Sequence, residues 1–187
     1  MILTVTPDPV LDNILLIEKW TQDIPMKAIG HHRSVGGKGL DSSVALKHLG
    51  GSGWAFCFLA GRTGQELLDL ICEEYGFPIS PVWVQGDTRA AHIIADSSAK
   101  THTHIFTGGI NLTPENEHTL ITQFVEKLPL ASFVISGGIF PDSASPDLHA
   151  NVIQEANAQA IPTLIDAHTR FMLSALKSRP TIVKQNQ

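Results

Sequence analysis

Gly53 to Ala60 reads GWAFCFLA, a continuous apolar run of strand length with no charge in it. A run like this suits a strand buried on both faces of a parallel sheet, because only helices on either side can keep both rows of side chains from water. Helix signals follow it. Thr63-Gly64-Gln65-Glu66 forms a capping box, Leu67, Leu70 and Ile71 fall on one helical stripe, and Gly76 is the stop. The alternation resumes at Thr113: a capped helix with Pro114 at its first position, a strand Ser132 to Ser136 and a helix opened by Ser145-Pro146. A strand Ile161 to Asp166, a helix around Arg170 to Lys177 and the start of a strand at Thr181 to Val183 complete it. This order predicts an α/β fold with a doubly wound, mostly parallel, Rossmann-like sheet, in a single domain over residues 1–187.

Two stretches break the alternation. Met1 to Thr6 is a β-branched run that ends in Pro7-Asp8-Pro9, with Asp12 at the end of that loop. Ile14 to Trp20 and Met26 to Val35 then look like a pair of strands joined by the turn Thr21 to Pro25. Later, Val82 to Gln85, Ala90 to Ala95 and Thr101 to Phe106 are hairpin material with no helix among them. Together they predict a small accessory sheet, with strands within 13–35 and 82–106, placed as a lid over a ligand site.

Val35-Gly36-Gly37-Lys38-Gly39-Leu40-Asp41-Ser42 is a glycine-rich turn running into a helix that Gly50-Gly51 closes. Its glycines let backbone approach a ligand, and a helix start points unpaired N–H groups at whatever lies there. Neither G-x-x-x-x-G-K-[ST] nor G-x-G-x-x-G is met, since His32 and Ser42 stand where glycines are needed. Spacing alone leaves a structural turn and a ligand loop equally open.

Composition narrows the partner. A net charge of -5 without a basic run argues against non-specific nucleic-acid binding and leaves room for a local phosphate-binding cluster. No apolar run reaches the length of a membrane span, the N-terminus lacks signal-peptide features, and the expected setting is cytoplasmic. Cys57 and Cys72 read as small buried hydrophobes. His31-His32 and the pair His102 and His104 have ligand-like spacing but no accompanying cysteine or carboxylate set, so no metal is expected.

The motifs together resemble those of a ribokinase-like sugar kinase of the PfkB family, nearest its 1-phosphofructokinase and tagatose-6-phosphate kinase branch, over essentially the whole chain. Thr6 to Asp12 resembles the opening T-L-N-P-A-L-D, and Gly36-Gly37-Lys38-Gly39-Leu40-Asp41 resembles G-G-K-G-x-N. Gly61 to Gly64 loosely resembles G-x-D-x-x-G, and Thr88-Arg89 resembles T-R-x-N. Ser136-Gly137-Gly138 with Pro141 resembles S-G-S-x-P, and Lys184-Gln185-Asn186 resembles K-P-N.

The resemblance implies transfer of the γ-phosphoryl group of MgATP to a hydroxyl of a phosphorylated ketohexose beneath the β-sheet lid. Asp12 would accept hydrogen bonds from sugar hydroxyls, and Gly36, Gly37, Lys38, Gly39, Asp41 and Ser136 would complete the sugar site. Arg89, with Lys27 as a weaker candidate, would hold the substrate's phosphate. Lys184 and Asn186 would meet the nucleotide. Asp41, Ala91 and Arg62 each replace a residue of the family pattern, and Asp41 exchanges an amide for a group that only accepts hydrogen bonds. The family's catalytic base comes from a Gly-Ala-Gly-Asp segment well beyond K-P-N, which would place it past Gln187, and no glycine follows Gly138 here. The implied reading is therefore the substrate-binding and lid-bearing half, with no catalytic residue of its own and a nucleotide-binding part missing. Its partners would be a sugar phosphate, a missing C-terminal half, and a second copy joined through the lid or an exposed sheet edge. The alternative is a non-catalytic sugar-phosphate binding or assembly module.

Overall fold

β1 (Ile2–Thr6) is the strand on which the rest is laid: Leu3, Thr4, Val5 and Thr6 are all fully buried. In the computed structural model, which describes residues 1–185, it pairs in parallel with β4 (Gly53–Leu59) on one side and β8 (Phe133–Gly138) on the other. The sheet extends in parallel through β5 (Ile79–Trp83) beyond β4, and through β9 (Thr163–Ala167) and β10 (Ile182–Val183) beyond β8. The strand order is therefore β10-β9-β8-β1-β4-β5.

The apolar run of β4 shows why helices are needed on both faces. Ala55, Cys57 and Leu59 pack with Leu40 of α1 (Lys38–His48) and with Leu67 and Leu70 of α2 (Gly61–Leu70), which continues as a π-helical turn to Tyr75. Phe56 and Phe58 point the other way, where Phe56 meets Phe124 of α3 (Pro114–Lys127) edge-on at 5.7 Å. α4 (Leu148–Ala158) and α5 (Thr169–Lys177) contribute Leu148, Val152, Phe171 and Met172 to this second core. The chain leaves β1 first toward β4 and later returns to β8, so the strand order reverses beside β1. In such sheets the crevice for a ligand opens beyond the carboxyl ends at that reversal.

A second sheet, in the order β3-β2-β6-β7, is made from β2 (Val10–Ile17), β3 (Gly30–Gly36), β6 (Gln85–Asp96) and β7 (Thr101–Asn111). Four details differ from the sequence expectation. β2 starts at Val10, so Asp12 lies within a strand and not in a loop; Val10 and Leu11 are buried and restart pairing straight after Pro9. The link to β3 is longer than the expected turn, spanning residues 18–29. Val82 and Trp83 belong to the main sheet, and only Val84 separates β5 from β6. Cys72 is exposed, whereas Cys57 is buried.

Helix α2 also starts earlier than its capping box suggests. Thr63 lies inside its first turn, and both its N–H and its hydroxyl donate to Asp87 of β6. The orphan donors of this helix are therefore met by the second sheet and not by their own segment. By contrast, α3 has a local capping box in which Thr113 and Asn116 bond reciprocally, and Gly76 ends the π-helical turn in the left-handed conformation.

Candidate active site: the crevice at the glycine turn

The glycine turn connects the two sheets. β3 ends at Gly36, Gly37 caps α1 with φ 118°, and α1 begins at Lys38. Space is as tight as conformation. A Cβ on Gly36 would stand 2.8 Å from Asp12 Oδ2, and one on Gly39 would stand 2.4 Å from Thr6 Oγ1 and 2.7 Å from the Val5 carbonyl oxygen. These contacts bring the start of α1 against the end of β1, with Asp12 of β2 alongside.

Charge gathers around this turn. Burial raises the Asp12 carboxyl above its ordinary range, opposed first by His104 and then by Arg89. Asp41, in the first turn of α1, is pushed up to about 6 by desolvation and by the Asp12 carboxylate, against a hydrogen bond from the Gly37 backbone. The crevice thus holds two interacting carboxyl groups. Asp166, at the carboxyl end of β9, is desolvated too, but the ammonium groups of Lys184 and Lys38 outweigh that and hold its carboxyl low. Lys38 bonds Asp166 Oδ1 and Lys184 bonds Oδ2. Lys38, Asp41, Ser42, Gly137, Asp166 and Lys184 line a cleft of about 420 Å³.

A neighbouring cleft of about 460 Å³ runs past Asp8 and Arg89. Arg89 Nε stands 2.8 Å from Asp8 Oδ2, and Nη2 donates to the Asp8 carbonyl at 2.9 Å. Burial raises the Asp8 carboxyl even so, with Arg89 opposing. The other face of the guanidinium lies 5.6 Å from the centre of the Phe106 ring.

The sequence matches the family described as pfkB family carbohydrate kinase over residues 11–187. The chain belongs to that family. Among solved structures, a Thermotoga maritima protein assigned as a possible 1-phosphofructokinase superposes with a TM-score of 0.92 at 24% identity, over 100% of this chain and 60% of that one. The tetrameric inhibited form of Escherichia coli phosphofructokinase-2 gives 0.87 at 23% identity, covering 100% and 61%. The same enzyme in complex with fructose-6-phosphate gives 0.84 at 22%, covering 95% and 58%. The parallel sheet with its smaller companion is thus the ribokinase-like fold, and the chain spans about 60% of the length of these structures.

In this pfkB-family chain, Asp12, Gly36, Gly37, Lys38, Gly39, Asp41 and Arg89 converge on the crevice, and Lys184 joins them through Asp166. Ser136 does not. Its hydroxyl is buried and lies 2.6 Å from Nδ1 of His149 on α4, so it faces the core beneath the turn. Lys27 is also elsewhere: it is exposed in the 18–29 connection, at the end of the second sheet where Leu16 pairs with Gly30. That is four residues along β2 from Asp12, a separation of about 13 Å at strand rise. Asn186, expected to meet the nucleotide, and Gln187, past which the family's catalytic base is expected, both lie outside the described residues. Among the described residues no three histidine, cysteine or acidic side chains stand close enough to hold a metal ion, and no helix is long and apolar enough to cross a membrane.

Asp8, His104 and Asp166 also bear on the site, though the family motifs gave none of them a role there. Asp166 carried a signal as a carboxylate ending a predicted strand. Replacing it with alanine leaves two ammonium groups facing each other without their shared anion; we expect a loss of about 1–2 kcal/mol, read from the urea midpoint at constant m-value. An unchanged midpoint would mean that solvent already screens both lysines.

Proposed function

We propose that this chain carries the sugar-phosphate-binding half of a carbohydrate kinase acting on a phosphorylated ketohexose, with the second sheet as its lid. The observation that carries this reading is the meeting of Asp12 from the second sheet with the glycine turn and α1 at the strand-order reversal, where a hydroxylated ring would find carboxylate acceptors and backbone N–H donors together. MgATP supplies the phosphoryl group when bound. Lys38 and Lys184 line the 420 Å³ cleft together, and their ammonium groups suit a nucleotide phosphate; Asn186 is the further candidate there. Asp12 orients the acceptor sugar, and the turn amides donate to the same ring.

Thermal shift with fructose 1-phosphate, fructose 6-phosphate and tagatose 6-phosphate tests this directly. At least one is expected to raise Tm for the wild-type chain and not for Asp12→Asn, while the 187-residue chain alone transfers no phosphoryl group from MgATP. No shift with any member of the panel would sink the substrate class; turnover by the chain alone would sink its incompleteness. The non-catalytic binding module is favoured only by Asp41, whose carboxyl crowds Asp12 where the family pattern has an amide.

We also propose a homodimer through the second sheet. Ile105 and Phe106 on its edge strand β7, with Trp20 and Ile24 in the 18–29 connection, are each at least half exposed. Light scattering is expected to give twice the chain mass at micromolar concentration, and a monomer throughout would contradict it.

A further inference from the structure

Strand β7 closes one side of the second sheet, pairing with β6 and with no other strand among the described residues. Its eleven residues, Thr101–Asn111, include no charged side chain and no proline, and Thr101 to Gly109 are all exposed. Edge strands that must stay alone usually carry a lysine, a proline or an inward charge, because their free N–H and C=O groups are a template for another strand. β7 has none of these guards, and an identical strand related by a two-fold axis is its simplest complement.

His102 and His104 stand two residues apart on this strand, so both side chains lie on one face, the face that Asp12 shares. Their ring centres are 5.1 Å apart, with the planes at 67°. Two imidazoles bound to one tetrahedral zinc ion through bonds of about 2.0–2.1 Å have centres about 5 Å apart. The pair therefore already has the spacing of two ligands on a shared ion. Neither ring makes a hydrogen bond or ion pair among the described residues. What one chain lacks is the other half of the set. His32 shares the face but sits on β3 at the opposite edge, three strand spacings or about 14 Å away. His92 is on the other face, 3.3 Å from the Thr107 hydroxyl.

We propose that His102 and His104 form half of a zinc site that two copies of the chain complete across a two-fold axis at Thr103. Antiparallel pairing of two β7 strands about that residue sets His102 opposite His104 of the second copy, and His104 opposite its His102. Directly opposed residues stand about 4.5–5.5 Å apart at Cβ, so four imidazoles gather on one face around the axis. Four neutral imidazoles suit Zn²⁺ and are a poor set for Mg²⁺ or Ca²⁺, which take oxygen ligands. The ion also selects one register among those open to an unguarded edge. It thereby gives the homodimer proposed above a register and a ligand; the assignment rests on that homodimer and not on the sugar site.

Sedimentation of the full chain, stripped with EDTA, measures the dimer dissociation constant before and after addition of zinc chloride, and calorimetry counts the ions bound. Zinc is expected to tighten the dimer at least about tenfold, at one ion per two chains. His102→Thr and His104→Thr, substitutions suited to an exposed strand, are each expected to lose most of this response, while His32→Thr on the far edge keeps it. A dimer that zinc does not tighten overturns the site, as do one ion per chain, a response that survives replacement of both histidines, or an equal loss in His32→Thr. A chain that stays monomeric in EDTA and in zinc overturns the homodimer as well, a result separable from failure of the zinc site alone.

Discussion

Gly39→Ala is expected to destabilise the chain by about 3 kcal/mol and to abolish sugar-phosphate binding at temperatures where the variant remains folded. The added methyl would enter a gap already closed by Thr6 Oγ1 at 2.4 Å and the Val5 carbonyl oxygen at 2.7 Å. Neither can give way cheaply. Val5 and Thr6 are fully buried in the central strand, and the carbonyl is backbone. The first turn of α1 must then move away from β1, taking Lys38 from Asp166 and Asp41 from Asp12. Gly109→Ala is the control: nothing lies within 4 Å of its added Cβ, and its φ is ordinary. It should stay within about 0.5 kcal/mol of wild type. If Gly39→Ala unfolds at the wild-type urea midpoint, the close approach of α1 to β1 does not organise the crevice.

The second large effect is a loss of stability in acid from a histidine outside the crevice. His149 is fully buried against Ser136 and Phe140. Burial drives its pKa down to about 3, with the Gly138 backbone opposing and the charge of Lys38 adding to the fall. In the unfolded chain the same group takes a proton near 6.5, so between about 6.5 and 3 the unfolded state binds more protons than the folded one. The contribution is therefore complete above 6.5 and shrinks as pH falls, by about 1.4 kcal/mol per unit, or about 2 kcal/mol by pH 5.

Asp41 works in the other direction, because a raised carboxyl favours the folded state as it takes up its proton. The clean readout is hence the difference from His149→Gln. That variant should be less stable at pH 7 by about 1–3 kcal/mol, with the gap closing toward pH 5. Parallel curves for the two proteins between pH 8 and pH 5 would show that His149 takes up a proton without cost. Because His149 bonds Ser136 beneath Gly137-Gly138, the same acidification should loosen the turn against which Lys38 packs.

What could be read from the sequence follows from how local each signal is. β4 was legible because both its faces are apolar, and α3 because Thr113 and Asn116 cap it within one turn. The start of α2 was not, since its cap comes from Asp87, on a strand of the other sheet. β5 and β6 ran together because the chain changes sheets across Val84 alone, with no turn residue to mark the step. Within the crevice, the glycine motif and Asp12 were legible through the family resemblance, spacing alone having left a structural turn and a ligand loop equally open. The direction of Ser136 did not, because it depends on pleat parity: Ser136 is in register with Val5 and Ile165, both of which face the core under α4. His104 stood out in the sequence only as a pair with His102. A polar residue on an exposed strand reads as a solvated face until register shows that Asp12 shares it.

The measurement that bears most directly on the whole account is an amide-resolved titration of the isotopically labelled chain with fructose 6-phosphate and fructose 1-phosphate. The account predicts that the backbone resonances of Gly36, Gly37 and Gly39 shift together with those of Asp12 and Asp41 and saturate with one dissociation constant, and that Asp12→Asn removes the response. Resonances that stay in place through the glycine turn, in a chain that is folded and titrated to tens of millimolar ligand, would contradict a sugar-phosphate site at the crevice.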